Sequence, residues 1–291
     1  MSPPRPPPHR RGRPAHQPAA DREERSSRPQ PAPSAISDGG RDAPERWIYG
    51  RHTVAAALAN PARRWHFLAA LAGQEQEARA LIAGGRAARR GAGEPIRVFD
   101  RGAFARILPE GAVHQGLALA VEPLPEPDLD DVLRRASAAP GRSTIVLLDQ
   151  VSDPHNVGAV LRSAAAFGAL AVVVAVHGAP PVAGALAKAA SGALESVPLV
   201  RVVNLARALD RAKDAGFWIC GLDETAAQTL AALDLGERVA IVLGSEGGGM
   251  RRLVRERCDH LARLPTRNEQ STINVSNAAA VALYELVRGA R

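Results

Sequence analysis

From residue 144 onward the chain repeats one pattern: an apolar, largely β-branched run, a stretch of helical periodicity, then another such run. The runs cover 144–148 (TIVLL), 171–176 (AVVVAV), 197–202, 217–220 and 239–243 (VAIVL). Between them 157–167, 182–194, 205–215 and 226–233 read as helices. A strand that is apolar throughout is covered on both faces. The pattern therefore predicts an α/β domain whose parallel sheet is sandwiched by helices. Ligands of such sheets sit beyond the carboxyl ends of the strands, and the candidate chemistry belongs there.

Three segments at those ends stand out. The first, Asp149 to Asn156, leads into the helix at 157–167, with Asp153 or Asn156 as its cap. Arg162 lies six residues past Asn156 on an otherwise apolar helix, either as a solvated surface residue or as a group with a partner to find. The second is Gly244-Ser245-Glu246-Gly247-Gly248-Gly249, followed by a helix at 250–257. It has neither the spacing of a dinucleotide fingerprint nor the Lys-Ser/Thr of a P-loop, and Ser245 is in no G-x-S-x-G elbow. A structural turn explains the glycines as well as a ligand does, but the carboxylate of Glu246 inside them is harder to dismiss. The third is a strand at 261–264, a polar loop at 265–277 and an alanine-rich helix to Arg288. Polar loops of that length are often functional, although Ser271 or Asn274 as a mere helix cap is the plainer explanation.

Ahead of this region, 47–122 alternates strands and helices and predicts a small α/β domain, with a helix over 74–90. Residues 123–140 read as a Pro-rich, acidic linker with a helical turn or two, and 141–291 as the larger domain. Residues 1–46 hold 11 of the 23 prolines and predict a disordered tail. Cys220 and Cys258 have no metal or disulfide spacing, and His114, His155 and His260 are isolated, so no metal is expected. No apolar run is long enough for a membrane span, and the start has no apolar signal region, so the chain reads as cytoplasmic. The net charge is +7, and all but two of the 37 basic residues are Arg. Residues 47–122 carry 10 Arg against 6 acids. A high-GC genome gives the same Arg-for-Lys bias with no function attached, so the charge alone is a weak nucleic-acid signal; on charge alone, Arg63, Arg64, Arg86, Arg89 and Arg90 would be the phosphate contacts of a chain that binds RNA.

The three segments, DPHNVGAVLRSAAAFGA, IVLGSEGGGMRRL and LPTRNEQSTINVSNAAAVALYE, resemble the motifs of the SpoU-type (TrmH-type) RNA ribose 2′-O-methyltransferases of the SPOUT superfamily. IYGRHTVAAAL and VHQGLALAVEPL resemble that family's small L30e-like substrate-binding domain, a combination similar to the 23S rRNA guanosine-2′-O methyltransferases. The resemblance implies a SPOUT fold with a C-terminal deep trefoil knot around the parallel sheet, which general topology rules would not anticipate. It implies S-adenosyl-L-methionine as methyl donor, held at Leu243, Gly244, Leu264, Thr272 and Ile273 with help from Ser245. It implies ribosomal RNA as substrate and a homodimer as the working form. It implies Arg162, Asn156, Glu246 and Asn274 as catalytic residues, Asn156 holding Arg162 and the ribose, Glu246 orienting Arg162 or neighbouring polar groups, and Asn274 with Thr272 completing the pocket. Where the family commonly has Ser-Leu-Asn-Val-Ser, this chain has Thr272-Ile273-Asn274-Val275-Ser276. A transfer-RNA 2′-O-methyltransferase and a catalytically silent RNA-binding protein are the alternatives.

Overall fold

The structure is a computed structural model that describes residues 47–90, 92–125, 127–182, 184–267 and 273–288. The expected tail, 1–46, lies outside the described residues, which all belong to one compact unit.

The first part is built from β1 (Trp47–Tyr49), α1 (Arg51–Ala59), β2 (Arg64–Leu71), α2 (Glu75–Ala83), β3 (Ala88–Arg89), β4 (Ile96–Phe99), α3 (Arg101–Ile107) and β5 (Leu117–Val121). Its sheet runs β1-β5-β2-β3, with β4 also on β2. β5 is antiparallel to β1 and β2, whereas β3 and β4 pair with β2 in parallel. Helix α2 ends well short of Arg90. Gly84 and Gly85 release the chain, and the Arg86 and Ala87 amides both donate to the Leu58 carbonyl, at 2.7 and 2.8 Å. A Cβ on Gly85 would stand 3.0 Å from that same oxygen. The contact with the end of α1 wins over helical propensity.

The expected linker carries a true helix. α4 (Leu129–Ala138) is capped by Asp128 and buries Leu129, Val132, Leu133 and Ala136. The apolar spacing places those four on one stripe, which covers a face of the second sheet. That sheet comprises β6 (Ser143–Leu148), β7 (Ala171–Ala175), β8 (Leu199–Val202), β9 (Trp218–Leu222), β10 (Gln228–Thr229), β11 (Arg238–Leu243) and β12 (His260–Arg263). Its order is β10-β12-β9-β11-β6-β7-β8, and every pair is parallel. The helices are α5 (Pro154–Ala166), α6 (Gly184–Ala190), α7 (Leu205–Asp214), α8 (Arg252–Arg255) and α9 (Val275–Arg288).

Alternation along the strands builds two cores. Val146 and Leu148 join Val157, Leu186, Ala279 and Leu283 on one face, beneath α5, α6 and α9. Ile145 and Leu147 join Leu129, Leu205 and Leu209 on the other, beneath α4 and α7. The two-faced parallel sheet predicted from the apolar runs is thus present, with three local differences. The helix expected at 182–194 breaks at Ser191 and Gly192, both at positive φ, and resumes as a 3-10 turn over Ala193–Glu195. The helix expected at 226–233 is instead β10 and a 3-10 turn, because pairing with the sheet edge at Ala262 and Arg263 satisfies the backbone there. The helix expected at 250–257 shortens to α8. Among the described residues no helix is long and apolar enough to cross a membrane.

Candidate active site

Strands β6 and β11 are neighbours in register, Leu148 opposite Leu243, so their carboxyl ends release two loops side by side. After β6, Asp149 is fully buried, and Gln150 takes a left-handed φ of 60° that is costly for a residue with a side chain. Asp153 then caps α5 by accepting from the His155 amide at 3.0 Å, with Pro154 at the first helical position. This orientation brings Asn156 to the loop side of the first turn.

After β11 the glycine-rich segment closes on itself. The Ser245 amide donates to the Gly249 carbonyl and the Gly249 amide to the Ser245 carbonyl, at 3.1 and 2.9 Å. A Cβ on Gly244 would lie 2.0 Å from the Gly249 carbonyl carbon, so no other residue permits this closure. Gly247 and Gly249 complete the turn at positive φ. Glu246 is left projecting from its tip, exposed.

The third segment meets it. Asn274 Nδ2 donates to Glu246 Oε1 at 2.6 Å and to Asn156 Oδ1 at 3.2 Å. Asn156 Nδ2 donates to the same Glu246 oxygen at 3.4 Å, and the Val275 amide at 3.5 Å. Residues separated by 90, 118 and 28 positions thus form one cluster. Asn274 also caps α9, its Oδ1 accepting from the Ser276 amide at 2.9 Å. The capping and the functional readings of Asn274 hold together, since they use opposite ends of one amide. The Val275 amide at the start of α9 faces the Glu246 carboxylate. Every donor found among the described residues goes to Oε1.

Arg162 does not join this cluster. It is exposed and has no hydrogen-bond or ionic partner among the described residues. Six helical positions rotate it about 240° from Asn156 and move it about 9 Å along α5. Within one chain, therefore, neither Asn156 nor Glu246 holds it; Asn156 departs from expectation, while Glu246 engages the neighbouring polar groups Asn156 and Asn274, the other arrangement expected of it. Leu243 is buried, Gly244, Leu264 and Ile273 are half-buried, and Thr272 lies outside the described residues.

One part of the site escaped the sequence reading. Asp149 Oδ2 accepts from the Arg251 amide at 2.7 Å, and Oδ1 accepts from Arg251 Nε at 2.8 Å. The buried carboxylate thereby fastens the exit of the glycine-rich turn to the end of β6. A fully buried carboxylate requires such pairing.

Of the expected phosphate contacts, Arg86 and Arg90 are exposed. Arg64 is half-buried and donates to the Pro61 carbonyl, while Arg89 donates to the His66 and Gly93 carbonyls. Arg63 is a correction. It is buried, paired with Glu195 at 2.6 Å, and unavailable to a phosphate. His114 stacks on Phe104 and accepts from the Gly116 amide, and burial pulls its pKa down. Among the described residues no cluster of three or more His, Cys, Asp or Glu is placed to hold a metal.

The chain is similar to known proteins. The SpoU rRNA Methylase family matches residues 143–284, and the family of RNA 2′-O ribose methyltransferase substrate-binding domains matches 47–127. The chain is 45% identical over 181 residues to the 23S rRNA (guanosine-2′-O-)-methyltransferase RlmB of Vibrio vulnificus, covering 61% of this chain and 72% of that one. It is 46% identical, with the same coverage, to RlmB of Xylella fastidiosa. Among solved structures, the SpoU methyltransferase AviRb of Streptomyces viridochromogenes superposes with a TM-score of 0.68 at 26% identity, over 84% of this chain and 90% of that one. AviRb has also been solved in complex with the cofactor AdoMet.

Proposed function

The chain belongs to the SpoU rRNA methylase family, and from that premise we propose that it transfers a methyl group from S-adenosyl-L-methionine to a ribose 2′-hydroxyl of ribosomal RNA, at a guanosine of 23S rRNA. The observation that carries this reading is the convergence of Asn156, Glu246 and Asn274 from three separate segments on one edge of the sheet. Relatives at 45 and 46% identity that act on 23S rRNA support the choice of substrate. A substrate of that kind places the reaction in the cytoplasm.

The residues present fit such a donor. Leu243 ends β11 and Leu264 follows β12, both with aliphatic side chains suited to an adenine face, and the bare Cα of Gly244 lets backbone amides approach closely. Ile273 extends the same apolar lining, and Thr272 and Ser245 are assigned to its polar rim. When bound, the donor supplies a methyl carbon made electrophilic by its sulfonium. Residues 268–272 of the third segment, Thr272 among them, lie outside the described residues.

The chain's own part is to orient and to stabilise. Glu246, with Oε1 occupied by Asn274 and Asn156, offers Oε2 to the ribose hydroxyl and fixes its direction. Arg162 stabilises the negative charge that grows on the 2′-oxygen. A guanidinium with a pKa above about 12 is a poor base but a permanent cation, so its role is electrostatic. The proton leaves to water or to an RNA phosphate. Arg86 and Arg90 bind the RNA backbone. The active form is a homodimer joined along α9, whose outer face is apolar.

The test is incubation of the protein with labelled donor and unmodified 23S rRNA or tRNA transcripts, followed by mass mapping of the methylated nucleotide. A single 2′-O-methylguanosine in the 23S transcript is expected. Methylation of the tRNA alone transfers the assignment to tRNA, and no transfer to either leaves a silent RNA-binding protein. In the same assay Arg162→Ala is expected to lower turnover by about 10²–10³-fold with donor affinity unchanged. Turnover near the unsubstituted rate removes Arg162 from the mechanism.

A further inference from the structure

The two sheets meet at a junction whose polar part is almost wholly buried. Arg63, between α1 and β2, pairs with Glu195 in the turn after α6, and each side chain is only 6% exposed. Arg63 Nη2 donates to Glu195 Oε1 at 2.6 Å and Nε to Oε2 at 3.3 Å, a forked geometry. Asn60 Nδ2 adds a donor to Oε2 at 2.7 Å. Arg63 Nη1 donates to the Glu122 carbonyl at 2.9 Å, where the chain leaves β5. One guanidinium thus binds the start of β2, the exit from the small sheet and the far half of the molecule.

Beside this pair the backbones touch. A Cβ on Gly192 would stand 2.4 Å from the Ala56 Cβ, so Gly192 forms a pivot with no side chain between the halves. An open cleft of about 560 Å³ beside it is walled by Asn60, Arg63, Glu195 and the start of the linker. A buried ion pair adds little stability over a well-packed apolar pair, yet it accepts only one geometry.

The lock lies at the head of a continuous path to the active site. Glu195 follows α6, and α6 lies flush on α5, where a Cβ on Gly158 would be 2.5 Å from the Ala189 Cβ. Gly158 is two residues from Asn156.

We propose that Asn60, Arg63 and Glu195 are positioning residues that fix the angle between the RNA-binding half and the catalytic half, so that RNA held by the first presents its ribose to the Asn156–Glu246–Asn274 cluster of the second. The functional consequence rests on the RNA methyltransferase reading, and the geometric one does not. The lock touches neither donor nor ribose. Its loss acts on the productive placement of long RNA, and the donor site keeps its affinity.

Two variants test this in the full chain. Glu195→Gln keeps the shape and removes the charge. Arg63→Met combined with Glu195→Met replaces the pair by apolar side chains and keeps the fold if the single change does not. Spin labels at Ala80→Cys and Asp214→Cys, both exposed and in different halves, are introduced in a Cys220→Ala, Cys258→Ala background. The distance between them is expected to be narrow with the lock intact and broad in the double Met variant, even where that variant melts no lower. On a 23S rRNA transcript the same variants are expected to lose about tenfold to a hundredfold in kcat/KM for RNA, with KM for the donor unchanged. A narrow distribution in the double Met variant overturns the proposal, as does an equal loss in the RNA and donor parameters. If the protein with its lock intact methylates no 23S transcript, the substrate reading fails, while the distance measurement still decides the lock.

Discussion

Asp149 is fully buried, and both of its oxygens are committed to Arg251, one to the backbone amide and one to the guanidinium. Asp149→Asn keeps the shape and gives up the charge-assisted bond, which predicts a loss of about 1–3 kcal/mol in urea unfolding. A change below about 0.5 kcal/mol, the range of an ordinary surface substitution, contradicts that role. The two thiols predict a pH dependence. Burial pushes both Cys220 and Cys258 up to about 12. An acid whose pKa rises on folding contributes stability that is intact below its unfolded value, near 8.5–9, and is lost as pH climbs toward the folded value. Stability should therefore fall from about pH 9 upward, and Cys220→Ala with Cys258→Ala should flatten the decline. Burial raises the Tyr49 phenol as well, which adds a slope of the same sign above about pH 10 and leaves some decline in the double variant. An undiminished slope would assign the whole decline to other groups. At this scale the site was half legible. Asn156, Glu246 and Asn274 each sit inside a recognisable motif, and they do converge. Asp149 was hidden because an aspartate at a strand end reads equally as a cap, and its partner is 102 positions away. Arg63 was misread because an arginine in an Arg-rich stretch reads as solvent-facing, and nothing local announces Glu195.

Between elements, α5 and α6 approach closely. Gly158 has no room for a Cβ, with the Ala189 Cβ at 2.5 Å and the Ala190 amide nitrogen at 2.8 Å from where it would stand. Gly158→Val must push the helices apart, so destabilisation of about 1–3 kcal/mol is expected from thermal or urea melts. Unchanged stability would mean that the two helices separate freely. The apolar strands were legible because they are buried on both faces and run without interruption, and all five were found within a few residues. The helices that failed did so where a distant partner decided the backbone. The stretch after α2 bends to the Leu58 carbonyl, and the stretch at 226–233 bonds to the edge of β12. The linker helix α4 was understated because its prolines precede the apolar stripe and its acids cover the outer face.

For the whole molecule, α9 poses the remaining question. Its inner stripe, Val275, Ala279, Ala282, Leu283 and Leu286, is buried against the sheet. Its outer stripe, Val281, Tyr284 and Val287, is 47, 53 and 40% exposed. Those positions recur every three residues, and Tyr284 is further supported edge-on by Phe167 from the end of α5. A continuous apolar stripe facing water marks an interface, and a second copy related by a two-fold axis would cover it with the same stripe. Tyr284→Asp combined with Val281→Asp places two charges on that stripe while leaving the inner one untouched, so the fold should survive. Sedimentation is expected to show a dimer for the unsubstituted chain and a monomer for the double variant. A dimer that survives both charges, or an unsubstituted chain that is monomeric, removes α9 from the interface. Activity then decides what the dimer is for. Arg162 has no partner among the described residues of its own chain and stands apart from Asn156. If it serves a site across the two-fold axis, the monomeric variant loses methyl transfer with every catalytic residue intact, and mixing it with an Arg162→Ala chain restores nothing. If the monomer turns over at the unsubstituted rate, Arg162 reaches the ribose within one chain, and the helix rotation that separates it from Asn156 is spanned by the RNA itself.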